Sequence, residues 1–168
     1  MGKLTLRATN TWAGATCVRG GTLAAGCHWA IPADTAVVIS DGATLDLGNK
    51  VHRLSSVTYQ VGGGAIARSG FAEMPNAVTF EISSDDILAG KSIALSGDFD
   101  LSKVTLCVEG SFPDEIDRET RYPFVTTSGS FTGTPTVLAP RLPVGYRLAF
   151  GPKRISLAPI RGFVVICR

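Results

Sequence analysis

Two carboxylates placed two residues apart on a β-strand share a face, which is the arrangement that acid–base pairs and oxygen-lined calcium sites need. Asp98 and Asp100 have that spacing in "SGDFDLS", and Asp85 and Asp86 are adjacent in "SSDDIL". Asp34, Asp41 and Asp46 add three more carboxylates in one early stretch. An aspartate at a turn also bonds its own backbone, and that local role is the expected one for all seven. A further acidic run, Asp114, Glu115, Asp117 and Glu119, is interrupted by Arg118 and Arg121 and reads as a solvated loop. His28 and His52 show no metal-ligand spacing to each other or to the cysteines. Nucleophile-elbow, phosphate-loop and dinucleotide fingerprints are absent. No catalytic, cofactor-binding or metal-ligating residue is therefore expected, and no cofactor.

Other residue types could serve binding or assembly. Trp12 and Trp29 are candidates for stacking on glycan rings, with Tyr122, Phe124 and Tyr146 further along; filling a corner of the fold is the competing role. The four cysteines allow three pairings if all are oxidised. Cys17 is expected inside, as a small hydrophobe. Cys27 adjoins Gly26 at a corner and Cys167 is next to Arg168, so these two are the candidates for an intermolecular disulfide.

The elements that must carry these residues are short strands. Alternating segments such as "KLTLRAT", "AVVISDGATLDLG", "AVTFEIS" and "KVTLCVEG" are each bounded by Gly, Asn, Asp or Pro. Almost no helix is expected; "PDEIDRET" at 113–120 reads as a loop or a single turn. The phrases "GGTLAAG" at 20–26 and "GATLDLG" at 42–48 recur twenty-two residues apart, and "GAIARSG" at 64–70 keeps both glycines. Thr22 matches Thr44 and Leu23 matches Leu45, while Ile66 and Ala67 replace that pair. Upstream, Ala15, Val37 and Tyr59 correspond, as do Cys17, Ile39 and Val61.

A fixed period of this length is one turn of a solenoid, too short for a propeller blade or a helix-pair repeat. Stacked coils place residues one period apart above one another, about 4.8 Å away. Cys17, Ile39 and Val61 are then expected to form an interior ladder and Leu23 and Leu45 another, with glycines at the corners. The fold expected is all-β, a parallel β-helix of ~22-residue coils with an irregular, partly antiparallel C-terminal end. One domain spans 1–168: regular coils over 1–70, less regular coils over 71–121, and a distorted end or cap over 122–168. Six of the nine prolines fall in that last part, where "PVGY" and "GPKR" read as hairpin turns.

"LTLRATNTWAGATCVRGGTLAAG" at 4–26 resembles the autotransporter-associated β-strand repeat of large bacterial surface and secreted proteins. The matching residues are Leu4, Thr5, Asn10, Thr11, Gly14, Thr16, Val18, Gly21, Thr22 and Leu23, with Trp12 where the family usually has tyrosine. The resemblance is specific over about 4–48. It implies a right-handed β-helix, exported from a bacterium as part of a passenger or stalk, without catalysis. The chain has no room for a translocating barrel of its own, so a fragment, or a member exported in another way, is expected.

The formal net charge of +2, with Lys and Arg scattered, gives no basic stripe for nucleic acid. No run approaches the roughly 20 apolar residues of a membrane helix, and no apolar signal core opens the sequence. Terminal strands around Leu4 and Leu6, and around Phe163 and Val165, would leave unpaired edges that could join copies end to end. The expected function is thus that of a non-enzymatic extracellular or cell-surface stalk or adhesin segment. Its expected partner is a second copy, as an oligomer or filament, with a surface glycan as a further partner. The alternative is a carbohydrate-binding or polysaccharide-cleaving β-helix.

Overall fold

A computed structural model describes residues 2–40, 42–48, 50–60, 77–117 and 119–161, and the backbone alone at 66–67. It is all-β, 49% strand, and forms a parallel β-solenoid of about four turns with antiparallel strands at its C-terminal side. The first eight strands alternate between two sheets. β1 (Lys3–Leu6), β3 (Gly21–Ala25), β5 (Ala43–Asp46) and β7 (Ile66–Ala67) make a narrow sheet. The intervening β2 (Thr16–Val18), β4 (Thr35–Ile39), β6 (Leu54–Gln60) and β8 (Ala77–Ser83) begin a broad one.

After β8 the course changes. A short helix, α1 (Ser84–Leu88), leads to β9 (Ile93–Leu95), β10 (Phe99–Asp100), a 3₁₀ turn (Leu101–Lys103) and β11 (Val104–Glu109). Next come β12 (Tyr122–Thr127), β13 (Phe131–Thr132) and β14 (Thr136–Leu138), and lastly the hairpin of β15 (Tyr146–Phe150) and β16 (Arg154–Pro159). β11 and β14 complete the broad sheet in the order β2-β4-β6-β8-β11-β14. β9 and β12 pair in parallel in an end sheet, which the hairpin extends in antiparallel fashion. β10 and β13 form a third, two-stranded side.

Alternation builds these coils. β4 and β8 bury every second residue, and in β8 the inner face is Val78, Phe80 and Ile82 while Thr79, Glu81 and Ser83 face out. The register then stacks Val18, Ile39, Tyr59, Phe80 and Leu106 in one interior ladder. Val37, Val57, Val78 and Val104 make a second. Phe80 packs edge-on to Tyr59 at 5.7 Å and tilted against Phe99 at 5.9 Å. Truncating such a fully buried ring to alanine costs about 3–5 kcal/mol.

The expected Leu23–Leu45 and Thr22–Thr44 ladders are present. Three other expectations are overturned. Cys17 faces Val38 across the sheet, not Ile39, and is exposed; the interior position is Val18. Val37 accordingly faces Thr16 and Val57 rather than Ala15 and Tyr59, and Leu45 pairs with Ile66 rather than Ala67. Val61 lies outside the described residues. The cause is corner length: two residues join β2 to β3, but three join β4 to β5. The narrow sheet therefore steps by twenty-two from Leu23 to Leu45, while the broad sheet steps by twenty-one from Val18 to Ile39. A slip of one residue turns a side chain to the opposite face.

A second period, absent from the sequence reading, governs the later coils. "SGDF" at 96–99 and "SGSF" at 128–131 stand thirty-two residues apart, and Phe99 pairs with Phe131 at that step. Ser130 seals the stack by donating from its amide and hydroxyl to Asp98 Oδ1, at 2.9 and 2.7 Å. Of the two expected hairpin turns, "GPKR" joins β15 to β16, with Gly151 N donating to Arg154 O; "PVGY" does turn, with Tyr146 N donating to Pro143 O, but it links β14 to β15 of different sheets and closes no hairpin. The helix α1 was not foreseen. Its signal was Ser83, whose hydroxyl caps Asp86 N at 3.1 Å.

Close stacking makes Gly129 intolerant of a side chain, because a Cβ there would lie 2.3 Å from the Gly97 carbonyl carbon. Gly129→Ala should lower stability by roughly 1–3 kcal/mol, as overpacking does. Gly20→Ala, with open space around it, should leave the urea midpoint nearly unchanged.

Candidate functional site

The first coil has unfinished strand edges. β1 pairs only with β3, and β2 only with β4, among the described residues. The outer N–H and C=O groups of both strands are thus left for another strand or for water. Of the two candidate assembly residues here, Leu4 is 62% exposed, whereas Leu6 is half-buried and packs on the core. The others, Phe163 and Val165, lie outside the described residues, as does Cys167.

Several residues of the first coil have local tasks. Asn10 Nδ2 donates to Ala8 O and to Ala30 O, both at 2.8 Å, which ties the loop between β1 and β2 to the next coil. Trp12 Nε1 donates to Thr16 Oγ1 at 3.0 Å. Gly21 adopts φ +68°, with Gly2 O only 2.4 Å from where a Cβ would stand. Trp12 and Trp29 are 37% and 38% exposed, so each presents a partial ring face. Cys27 is half-buried and unpaired, and Cys17 and Cys107 are unpaired as well.

The opposite edge of the broad sheet is also open among the described residues. There β14 pairs only with β11, and its Val137 and Leu138 are exposed, Leu138 at 56%. The end sheet is finished differently, since the antiparallel hairpin covers the outer side of β12.

The candidate carboxylates are taken up by turns and ion pairs. Asp98 accepts from Ser130, Asp100 from Ser102, and Asp117 from Thr120 and Glu119; these bonds hold all three carboxyls below the usual range. Asp46 accepts from Gly48 N at 3.0 Å and lies 3.4 Å from Lys3. Asp34 forms a two-pronged pair with Arg53, at 3.0 and 2.8 Å. Asp85 sits in the first turn of α1, and Asp41 is outside the described residues. Among the described residues no group of three His, Cys, Asp or Glu side chains is placed to hold a metal.

One polar patch escaped the sequence reading. On the outer face of the broad sheet Ser40 donates to Gln60 Oε1 at 3.0 Å, and Gln60 Nε2 donates to Glu81 Oε2 at 3.1 Å. Ser83, Asp86, Lys91 and Glu109 border the same groove of about 320 Å³. Lys91 and Ser83 hold the Asp86 carboxyl below its ordinary range. Its residues come from strands that are neighbours only after coiling, so no local motif marks it.

Comparison with protein-family models, with curated proteins and with solved structures gives no match for this chain. The geometry offers a ladder-packed solenoid, strands β1, β2 and β14 each open on one side among the described residues, and acidic residues engaged in turns.

A corner between coils carries the two histidines. His28 Nδ1 accepts from Val51 N at 3.0 Å, and Trp29 N donates to Val51 O at 3.0 Å. His52 is wholly buried, and neither ring nitrogen has a partner among the described residues. Burial, with repulsion from His28, lowers its pKa from 6.5. The neutral form is then favoured in the fold, and the unfolded chain binds the proton more readily. Stability from this site should be full above about pH 6.5, the unfolded value for histidine, and fall as pH drops toward the folded pKa. Urea midpoints across pH 5–8 should show that fall, and His52→Leu should flatten it.

Proposed function

We propose that the chain is a non-enzymatic structural module: a β-solenoid stalk or passenger segment of a bacterial surface protein that associates with further copies through its open sheet edges. The carrying observation is that the broad sheet ends in two strands, β2 and β14, each paired on one side only among the described residues. Both are strands of one parallel sheet and lie at its opposite ends, so β14 of one copy can continue into β2 of the next. Such a contact uses two different surfaces and repeats without closing, which generates filaments rather than closed pairs. Exposed Val137 and Leu138 on β14 supply apolar area at the joint.

The resemblance of residues 4–48 to the autotransporter-associated repeat supports the bacterial and extracellular part of this reading. The tasks of Asn10, Thr16 and Gly21 in closing a coil are those that a coil-forming repeat needs. Asp34, Asp46, Asp86, Asp98 and Asp100, among the carboxylates that a polysaccharide-cleaving β-helix would draw on, are engaged in turn and ion-pair contacts, which favours a structural role over a cleaving one.

Light scattering after size exclusion tests this. The wild type should run as multimers that grow with concentration and persist in reductant. Val137→Lys with Leu138→Lys should return it to the mass of one chain without changing its circular dichroism. A wild type that stays monomeric at every concentration overturns the reading. Multimers that collapse in reductant would instead place the joint at Cys17, Cys27 or Cys167.

A further inference from the structure

Three arginines meet where the C-terminal hairpin lies against β12. Arg121 immediately precedes β12, Arg147 is the second residue of β15, and Arg161 follows β16. With Glu119, Pro159 and Ile160 they line a hollow of about 230 Å³. All three side chains are exposed, and none has a hydrogen bond or ion pair with a described residue. Glu119 contributes the one carboxylate of the described lining, so three positive charges and one negative leave a formal +2 at the hollow.

The frame that sets these groups side by side is firm. The Tyr146 hydroxyl donates to Thr120 O at 2.9 Å and also contacts Asp117 O, which pins the loop carrying Glu119 and Arg121 to the hairpin. The Tyr122 and Tyr146 rings, each next to one of the arginines, pack 6.4 Å apart. Ile160 N donates to Gly145 O at 2.6 Å, fixing the end of β16 beside the start of β15. Guanidinium groups stay charged throughout the working pH range and present planar forks of donors matched to oxyanions. Three such groups around one hollow repel one another unless an anion sits between them.

The geometry points to an oxyanion-binding site at Arg121, Arg147 and Arg161, taking the sulfate, phosphate or carboxylate group of a small acidic ligand. Pro159 and the 55% exposed Ile160 form an apolar wall beside the charged donors. That wall suits a ligand with a C–H face next to its anionic group, such as an acidic sugar. A second hollow of about 470 Å³ shares Glu119, Pro159, Ile160 and Arg161, which leaves room for a ligand of sugar size. This site is independent of the open sheet edges and stands whether or not the chain assembles.

The test is an NMR titration of the full chain with inorganic sulfate, with galactose 6-sulfate and with galactose. Sulfate should shift amides around 119–121, 145–148 and 159–161 saturably, and galactose should not. Arg121→Gln and Arg147→Gln should each weaken sulfate roughly tenfold, the usual order for losing one charge-assisted hydrogen bond. Glu119→Gln should tighten it, and Arg141→Gln, remote from the hollow, should leave it unchanged. Tighter binding of galactose 6-sulfate than of sulfate marks a site for an acidic sugar, and equal binding marks a site for the free anion. Circular dichroism of each variant separates lost binding from lost fold. Absence of saturable shifts with either sulfated probe overturns the proposal, as does an affinity that both arginine variants leave intact.

Discussion

A coil of a parallel solenoid cannot bury its own interior; its apolar side chains are covered only by the coils before and after it. Everything in this protein depends on keeping those coils in register. The ladder from Val18 through Ile39, Tyr59 and Phe80 to Leu106 places like positions over one another, and each rung closes the hydration of the next. Because strand side chains alternate, one residue gained at a corner must be absorbed there or the whole ladder would invert. The three-residue corner before β5 absorbs such a residue, which is why the two sheets keep different steps over the same pair of coils.

The same constraint determines what the polar residues can do. Coils of about thirty residues need extra turns, and each turn is closed by a short side chain bonding to backbone. Asp98, Asp100 and Asp117 are used in this way, and Ser130 joins two coils through Asp98. Where a polar group is carried inside without a partner, the stack pays in stability. Among the described residues His52 and the Tyr59 hydroxyl are two such groups, and burial raises the Tyr59 pKa well above its ordinary value. Tyr59 is held in its ladder by the register that stacks it between Ile39 and Phe80.

A stack must also end. At the C-terminal side the chain reverses and lays an antiparallel hairpin along β12, which satisfies that strand's outer backbone groups. The broad sheet has no such cover among the described residues, at either β2 or β14. The reversal has a second consequence, since it brings Arg147 and Arg161 next to Arg121 and gathers charge that is scattered along the sequence. One structural device thus both closes a sheet and builds a pocket.

Strand character, the solenoid class and the antiparallel end were legible in the sequence, because alternation, glycine-marked corners and the Leu23–Leu45 step are local or strictly periodic signals. The second period was also written there, in "SGDF" and "SGSF", but a changed step length hides it from a search at twenty-two residues. Which face Cys17 takes was not legible. A fixed step assigned it to the interior, whereas the real register depends on how many residues each corner holds, and corner length is decided by closure of the whole coil. The arginine hollow and the Ser40–Gln60–Glu81 groove were likewise invisible, since their residues come from different coils or strands. Periodicity reports which residues can stack; only the closed backbone decides which of them meet.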